Sequence, residues 1–318
     1  MQHVVLGRTG LTVSVAGLGC GGHSRLGQSQ GRSFEESVAV VKAAIDAGVT
    51  FIDTAAAYGT EDIVGAATCS QRESVVISSK QGIVRPGTSP LGQEFVTGPE
   101  FLRAAEQTLK RLSTDYIDVY HLHGVMPDQY DYCRSALLPA LVKLKDQGKI
   151  LFLGLTERFI YDTDHKMLQL ALEDDYWDVV MSGFNMINPS ARHTVFKQTR
   201  KKGIGTLNMF AVRRALSNPI LATEALMGLA AHGVIDKKLV NEHDPLGFVL
   251  EGEEAETLAE AAYRFCAHEP GVDVVLTGTG SISHLSENLR SINKKALSGT
   301  ILRQLKKAFG DVDSISGN

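Results

Sequence analysis

Eight short apolar runs, rich in β-branched residues, recur along this sequence, and longer amphipathic segments separate each from the next. They centre on Ala16 to Gly19, Thr50 to Asp53, Val75 to Ser79, Tyr116 to His121, Ile150 to Leu155, Asp178 to Ser182, Ile204 to Asn208 and Val272 to Thr277. The alternation is that of repeated βα units, in which connecting helices cover a parallel sheet. A chain of 318 residues built this way fits one α/β domain over residues 1–318, a (β/α)8 TIM barrel. Before the first unit, Val4 to Gly7 and Thr12 to Val15, joined by Arg8 to Leu11, read as an N-terminal β-hairpin that plugs the barrel's lower mouth.

The helices announce their ends. Ser33-Phe34-Glu35-Glu36 and Thr97-Gly98-Pro99-Glu100 have capping-box spacing, and Gly48, Gly148 and Gly203 stand where a left-handed residue turns a helix into the next strand. Two connections exceed what barrel closure needs, Gln81 to Pro99 and Phe210 to about Gly252. Both are expected at the barrel's C-terminal face, as substrate-specificity and lid elements. The tail from Thr300 to Asn318 reads as an extra helix followed by small polar residues expected to fray.

Composition narrows the function classes. A net charge of −4 gives no attraction to nucleic acid or to an anionic membrane, and the basic run Lys197 to Lys202 reads as a solvated helix end. No stretch approaches the roughly 18 apolar residues of a membrane span, and Met1 to Val5 lacks the character of an export signal. Cys20, Cys69, Cys133 and Cys266 are widely spaced, without a CxxC pair. These features together point to a cytoplasmic protein with reduced thiols.

Four polar groups stand at the ends of successive apolar runs: Asp53, then Tyr58, then Lys80, then His123. In a parallel barrel every strand ends on the same face, so these groups converge. A phenol with a pKa of about 10 is a poor acid, but an adjacent ammonium favours the phenolate and draws that value down. Asp53 would hold Lys80 charged, and the His123 imidazole would orient a carbonyl oxygen. Taken singly, Asp53 could cap a loop, Lys80 could be a solvated strand end and Tyr58 could pack under a loop; four suitable groups at three strand ends argue jointly for a site. The set moves protons but carries no hydride, so a nicotinamide cofactor is implied.

Asp53, Tyr58, Lys80 and His123 resemble the catalytic tetrad of the aldo-keto reductase superfamily, and the similarity runs from Leu6-Gly7-Arg8-Thr9-Gly10-Leu11 to Glu287-Asn288. The resemblance implies a (β/α)8 barrel that binds NADP(H) or NAD(H) across its C-terminal face, with Tyr58 as acid and base, acting on a small-molecule carbonyl or sugar. It also implies cofactor contacts. Gly21 and Gly22 match an early cofactor loop, and Thr156 lies in the segment whose polar pair holds the carboxamide, where Glu157 departs from the usual asparagine. Ser182 would stand in for the missing amide partner, beside Met181. Asn208, Met209 and Phe210 occupy the place of the stacking residue. Gly278, Thr279, Gly280 and Ser281 form a phosphate turn opening a helix, in which His284 replaces an arginine common in NADPH-selective members, while Glu287 and Asn288 match an adenine-contacting pair. These departures resemble the branch containing sugar dehydrogenases such as L-galactose dehydrogenase.

Three rivals remain open at this level. The His121-Leu122-His123 spacing could serve a metal-dependent barrel hydrolase with paired zinc ligands, although His121 reads more readily as a hydrogen-bonded barrel filler and the fifth and sixth runs carry no histidine. A dehydrogenase with a GxGxxG fingerprint is disfavoured because Gly19-Cys20-Gly21-Gly22-His23-Ser24 lacks the third glycine. A barrel that binds nucleotide without turnover would not need the tetrad.

Overall fold

Period-two alternation shapes this molecule more than any other pattern. The structure, a computed structural model, describes residues 1–239 and 241–318. Its strands are β1 (His3–Val5), β2 (Thr12–Ser14), β3 (Ala16–Gly19), β4 (Phe51–Asp53), β5 (Val76–Gly82), β6 (Ile117–Val125), β7 (Ile150–Glu157), β8 (Val179–Gly183), β9 (Gly205–Met209) and β10 (Val274–Thr277). The last eight close into a parallel barrel in the order β10-β3-β4-β5-β6-β7-β8-β9, and β1 pairs antiparallel with β2. Each barrel strand falls on an expected apolar run. The ladders of β5, β6 and β7 continue past the expected ends, to Gly82, Val125 and Glu157, because backbone pairing persists where the side chains turn polar.

Phe51, Val76, Val119, Phe152, Val179, Met181, Leu207, Met209, Val274 and Leu276 pack as one cluster inside the barrel. Because side chains alternate across a strand, this cluster fixes which other residues face inward. Asp53, Ser78, Lys80, His121 and His123 share its parity; Ser182, Asn208 and Thr277 have the opposite one. Leu6 and Val13 of the hairpin join the same cluster from below, so the hairpin closes the lower mouth as expected. A second, larger cluster lies between the strands and the surrounding helices.

Local signals hold at the helix ends. Ser33 Oγ accepts from Glu36 N–H at 3.2 Å while Ser33 N–H donates to Glu36 Oε2 at 2.8 Å, and Thr97 and Glu100 form the same reciprocal pair. Gly48, Gly148 and Gly203 adopt φ of +89°, +70° and +66°. The long connections differ in use. Gln81 to Pro99 folds on itself through a Val84–Phe95 bridge and stacks Phe95 on Tyr132 at 4.2 Å, away from the main cleft. Of Phe210 to Gly252, the first residues line the cleft and the remainder, including the Pro219–Ala231 helix, leads away from it; Val240 lies outside the described residues. The tail does not fray. Asn188 Nδ2 donates to Ile315 O at 2.8 Å, Asn185 Nδ2 to Ser316 O at 3.2 Å, and Ala215 N–H to Gly317 O at 3.1 Å. Small polar residues dock here because two buried asparagine amides need acceptors. No described helix is long and apolar enough to cross a membrane.

The plug depends on a glycine. Gly7 has φ +47°, and a β-carbon there would collide with the backbone of Ile204 and Gly205, whereas Gly10, at φ +73°, has open space around it. Gly7→Ala should therefore cost about 2–4 kcal/mol of stability, from left-handed strain plus overpacking. Gly10→Ala should cost only about 1–2 kcal/mol, from strain alone. Urea unfolding midpoints measure the difference; equal losses would mean that hairpin and barrel are not tightly joined.

Candidate active site

Asp53 ends β4 and Lys80 lies near the end of β5, both pointing inward at the top of the barrel. Lys80 Nζ donates to both oxygens of Asp53 at 2.6 Å and to Thr54 O at 2.8 Å, which uses all three ammonium protons. Lys80 is fully buried and Asp53 nearly so. Burial alone would lower the Lys80 pKa, but Asp53 and, after it, Tyr58 together reverse this and hold it above its ordinary value. The ammonium is fixed in place and charged.

Tyr58 lies in the 3-10 turn Ala56–Tyr58, just above this pair, with the Lys80 ammonium 5.0 Å from its ring centroid. Its ring rests on Gly21, where a β-carbon would come within 2.6 Å of it. The Tyr58 hydroxyl is 3.4 Å from His123 Nε2. Burial raises the phenol's pKa, and Lys80 recovers only part of that rise. The sequence-based expectation of a lowered phenol pKa thus fails: the ammonium acts in the expected direction, but desolvation and the Asp53 charge outweigh it. His123 is pushed down to about 3 by burial, then by the charges of Lys80 and Arg158. Its imidazole is neutral and can act as a hydrogen-bond donor.

His121 does not join His123. Its Nε2 meets Ser78 Oγ at 3.0 Å, Ser78 in turn donates to Asp53 Oδ1 at 2.8 Å, and the ring lies over Gly154, where a β-carbon would overlap it. It fills the barrel and supports the ion pair from below. Among the described residues no group of three or more His, Cys, Asp or Glu is placed to hold a metal ion, so the two histidines form no zinc site.

A cleft of about 760 Å³ runs from Asp53 and Tyr58 across the barrel top, within the usual size of small-molecule sites. Gly21, Gly22, Met209, Phe210, Gly278, Thr279, Gly280, Ser281 and His284 line it, as the sequence suggested. Gly278 permits a close approach: a β-carbon there would sit 2.8 Å from Gly19 O. Beyond it, the Ile282–Asn293 helix points its N-terminus at the cleft, capped by Ser281. These features fit a dinucleotide, whose phosphates need backbone N–H groups and bare glycines.

Other expected contacts are engaged elsewhere. Thr156 Oγ1 accepts from Gly124 N–H at 2.7 Å. Ser182 donates to Glu157 Oε1 at 3.1 Å, and Asn208 Nδ2 donates to Phe184 O at 2.9 Å. Ser182 and Asn208 have the outward parity, and neither lines the cleft. Glu157 is saturated by His165 Nδ1 at 2.9 Å, Ser182 and the Gly183 N–H, a buried cluster behind the strands. Asn288 Nδ2 donates to Thr277 Oγ1 at 2.9 Å, and Glu287 is exposed; neither lines the cleft.

The expected cofactor contacts did not include Arg213. It lines the cleft, its guanidinium stacks on Phe210 at 3.9 Å, and its buried Nε has no hydrogen-bond partner. Phe210 adopts φ +68°, a conformation rare for a bulky residue, which holds its ring between Arg213 and Phe159. Burial lowers the Arg213 pKa, and Tyr58 offsets only part of this. The only sequence signal was an arginine pair after the seventh barrel strand. Ser24, Gln30 and Arg32 also line the cleft.

The chain is similar to known proteins over nearly its whole length. A family model described as the aldo/keto reductase family matches residues 17–308. L-galactose dehydrogenase of Arabidopsis thaliana is 26% identical over 312 residues, covering 91% of this chain and 87% of that protein. The aldo-keto reductase YhdN of Bacillus subtilis is 26% identical over 309 residues, covering 90% and 88%. Among solved structures, the holo form of aldo-keto reductase AKR11C1 from Bacillus halodurans superposes with a TM-score of 0.73 over 100% of both chains, at 20% identity. Family and barrel together support NAD(P)-dependent oxidoreduction of a small molecule. With nearly its whole length matched, the chain belongs to the aldo/keto reductase family.

Proposed function

We propose that this protein interconverts a carbonyl compound and its alcohol, with Tyr58 as the proton donor and acceptor. The observation that carries this reading is the meeting of the Tyr58 hydroxyl and His123 Nε2, 3.4 Å apart, above the buried Lys80–Asp53 pair. A carbonyl oxygen placed between phenol and imidazole receives two hydrogen bonds, one from each. A nicotinamide dinucleotide bound along the glycine-lined cleft supplies or accepts the hydride. Tyr58 hands its proton to the oxygen as negative charge builds there, and the fixed Lys80 charge stabilises the phenolate left behind. In the oxidative direction the phenolate takes the proton back. His123, neutral, orients the oxygen without competing as an acid.

Gly278 to Ser281 and the helix behind them would hold the phosphates, joined by the Arg213 guanidinium, which needs an anion. Because Glu157 is occupied and Ser182 faces outward, the nicotinamide carboxamide has fewer side-chain partners than the family pattern supplies. NADP(H) and NAD(H) both fit the chemistry of the cleft. The likeness to L-galactose dehydrogenase brings free aldoses, oxidised at the hemiacetal carbon, into the substrate set beside aldehydes and ketones. Assay of all three classes, in both directions and with both cofactors, tests the reading directly.

Tyr58→Phe should lower carbonyl turnover about 10²–10⁴-fold, the usual worth of a positioned acid, with dinucleotide affinity nearly intact. Steady-state rates and fluorescence titration separate the two, and unchanged turnover would remove Tyr58 from its role. Because His123 loses its proton only near pH 3 and Tyr58 keeps its own beyond the ordinary phenol value, kcat/KM for reduction should be flat between about pH 5 and 8 and fall at alkaline pH. An inflection near neutrality that vanishes in His123→Gln would contradict the neutral imidazole. Arg213→Met should raise the dinucleotide Kd about tenfold or more, the worth of a charged hydrogen bond, as read by quenching of protein fluorescence. An unchanged Kd would place the phosphates elsewhere.

A further inference from the structure

β6 is interrupted just after His123. Its register with β7 shifts between Leu122 and Val125, and Gly124 in the gap adopts φ +64°. β7 and the residue after it hold this bulge by both polar groups of Gly124. Thr156 Oγ1 accepts from its N–H at 2.7 Å, and Arg158 Nε donates to its carbonyl at 3.1 Å. The Arg158 guanidinium therefore lies across Gly124, so close that a β-carbon there would come within 2.9 Å of Nη2. A larger residue would be strained at this φ and would have to displace the guanidinium.

The hydrogen bond to Gly124 uses one of five guanidinium N–H groups. Among the described residues no carboxylate lies within ion-pair distance of Arg158; neighbouring Glu157, the nearest in sequence, is committed to His165, Ser182 and Gly183. The side chain is half-buried, so part of its guanidinium has lost water without gaining a carboxylate in return. Its charge also reaches the reacting groups, since it helps to depress the pKa of His123. Arg213, the other half-buried arginine with no carboxylate partner beside this site, lines the dinucleotide cleft; Arg158 does not. Among the described residues, two guanidiniums without a carboxylate partner thus lie near the site, Arg213 in the cleft and Arg158 against Gly124, the residue after His123.

We propose that Arg158 recognises an anionic group on the substrate, so that the preferred substrates are carbonyl or hydroxy compounds bearing a carboxylate or a phosphate. This rests on the carbonyl–alcohol reading of the same site. With the reacting oxygen between Tyr58 and His123, the remainder of a substrate extending over Gly124 meets the free edge of the guanidinium, whose planar fork matches either anion. The anion is bound equally before and during reaction, so its contribution appears mainly in KM. Arg158 is a specificity-determining residue and leaves the proton transfer to Tyr58.

The test compares matched substrate pairs with the cofactor-saturated enzyme: benzaldehyde against 4-carboxybenzaldehyde, and glyceraldehyde against glyceraldehyde 3-phosphate. The wild type should favour the anionic member of at least one pair by about tenfold or more in kcat/KM, and the pair that responds identifies carboxylate or phosphate as the source. Arg158→Met should shrink that ratio about tenfold or more, chiefly through KM, and Arg158→Lys should restore part of it. An arginine that merely braces Gly124 would depress both members of a pair alike; an unaltered ratio, or a wild type without preference, overturns the proposal. Equilibrium binding of 4-carboxybenzoate, followed by calorimetry on wild type and Arg158→Met, reads the anion site without turnover. Weaker binding to Arg158→Met supports the site even if no carbonyl is reduced, a result that would overturn the activity reading alone; equal binding overturns the site.

Discussion

One buried ion pair ties the top of this barrel together. Asp53 and Lys80 come from adjacent strands and meet through two hydrogen bonds, the ammonium's third going to Thr54 O, at the point where the apolar interior gives way to the site. Burying two charges is expensive, and removing one partner of such a pair typically costs about 3–5 kcal/mol. Ser78 and His121 continue the network downward, while Tyr58 and His123 stand above it. Structure and chemistry therefore share the same atoms. The group that charges the phenol's surroundings is also the group that locks β4 to β5, so its loss would disturb both.

What the sequence made legible follows from strand periodicity. Asp53, Lys80 and His123 were recognisable because each follows an apolar run, and in a parallel barrel those runs all end on one face. Ser182 and Asn208 also stand at strand ends, yet they face the helix layer. Their parity is fixed by the inward Met181 and Leu207, and a one-residue difference moves a side chain to the other side of the sheet. The arginines were harder still. Composition displays Arg158 and Arg213, but whether a guanidinium has an acidic neighbour depends on residues far away in sequence. The same holds for the tail, whose docking depends on Asn185 and Asn188.

Departures from the family pattern acquire a physical sense in three dimensions. Glu157, where an amide would be expected, has withdrawn behind the sheet into a closed set of partners with His165 and Ser182. A carboxylate can be buried there because all of its company donates hydrogen bonds. The end of the seventh barrel strand departs as well. Met209 faces the barrel mouth, and Phe210, held in a left-handed backbone conformation, carries the arginine instead of lying flat against the pocket floor. Such substitutions leave the phenol, ammonium and imidazole untouched while rewriting how the flanking groups are held.

The thiols are distributed unequally. Cys20, Cys133 and Cys266 are buried, and burial raises the pKa of each, with Cys133 pushed up to about 12. Cys69 is exposed, immediately after the Glu61–Thr68 helix, which carries the chain from the barrel's upper face back toward its lower one. A maleimide dye added to the folded protein will therefore attach at one position, on the side opposite the reacting groups. Native chemistry thus supplies a ready fluorescent handle that reports on tumbling or immobilisation without obstructing the mouth of the barrel.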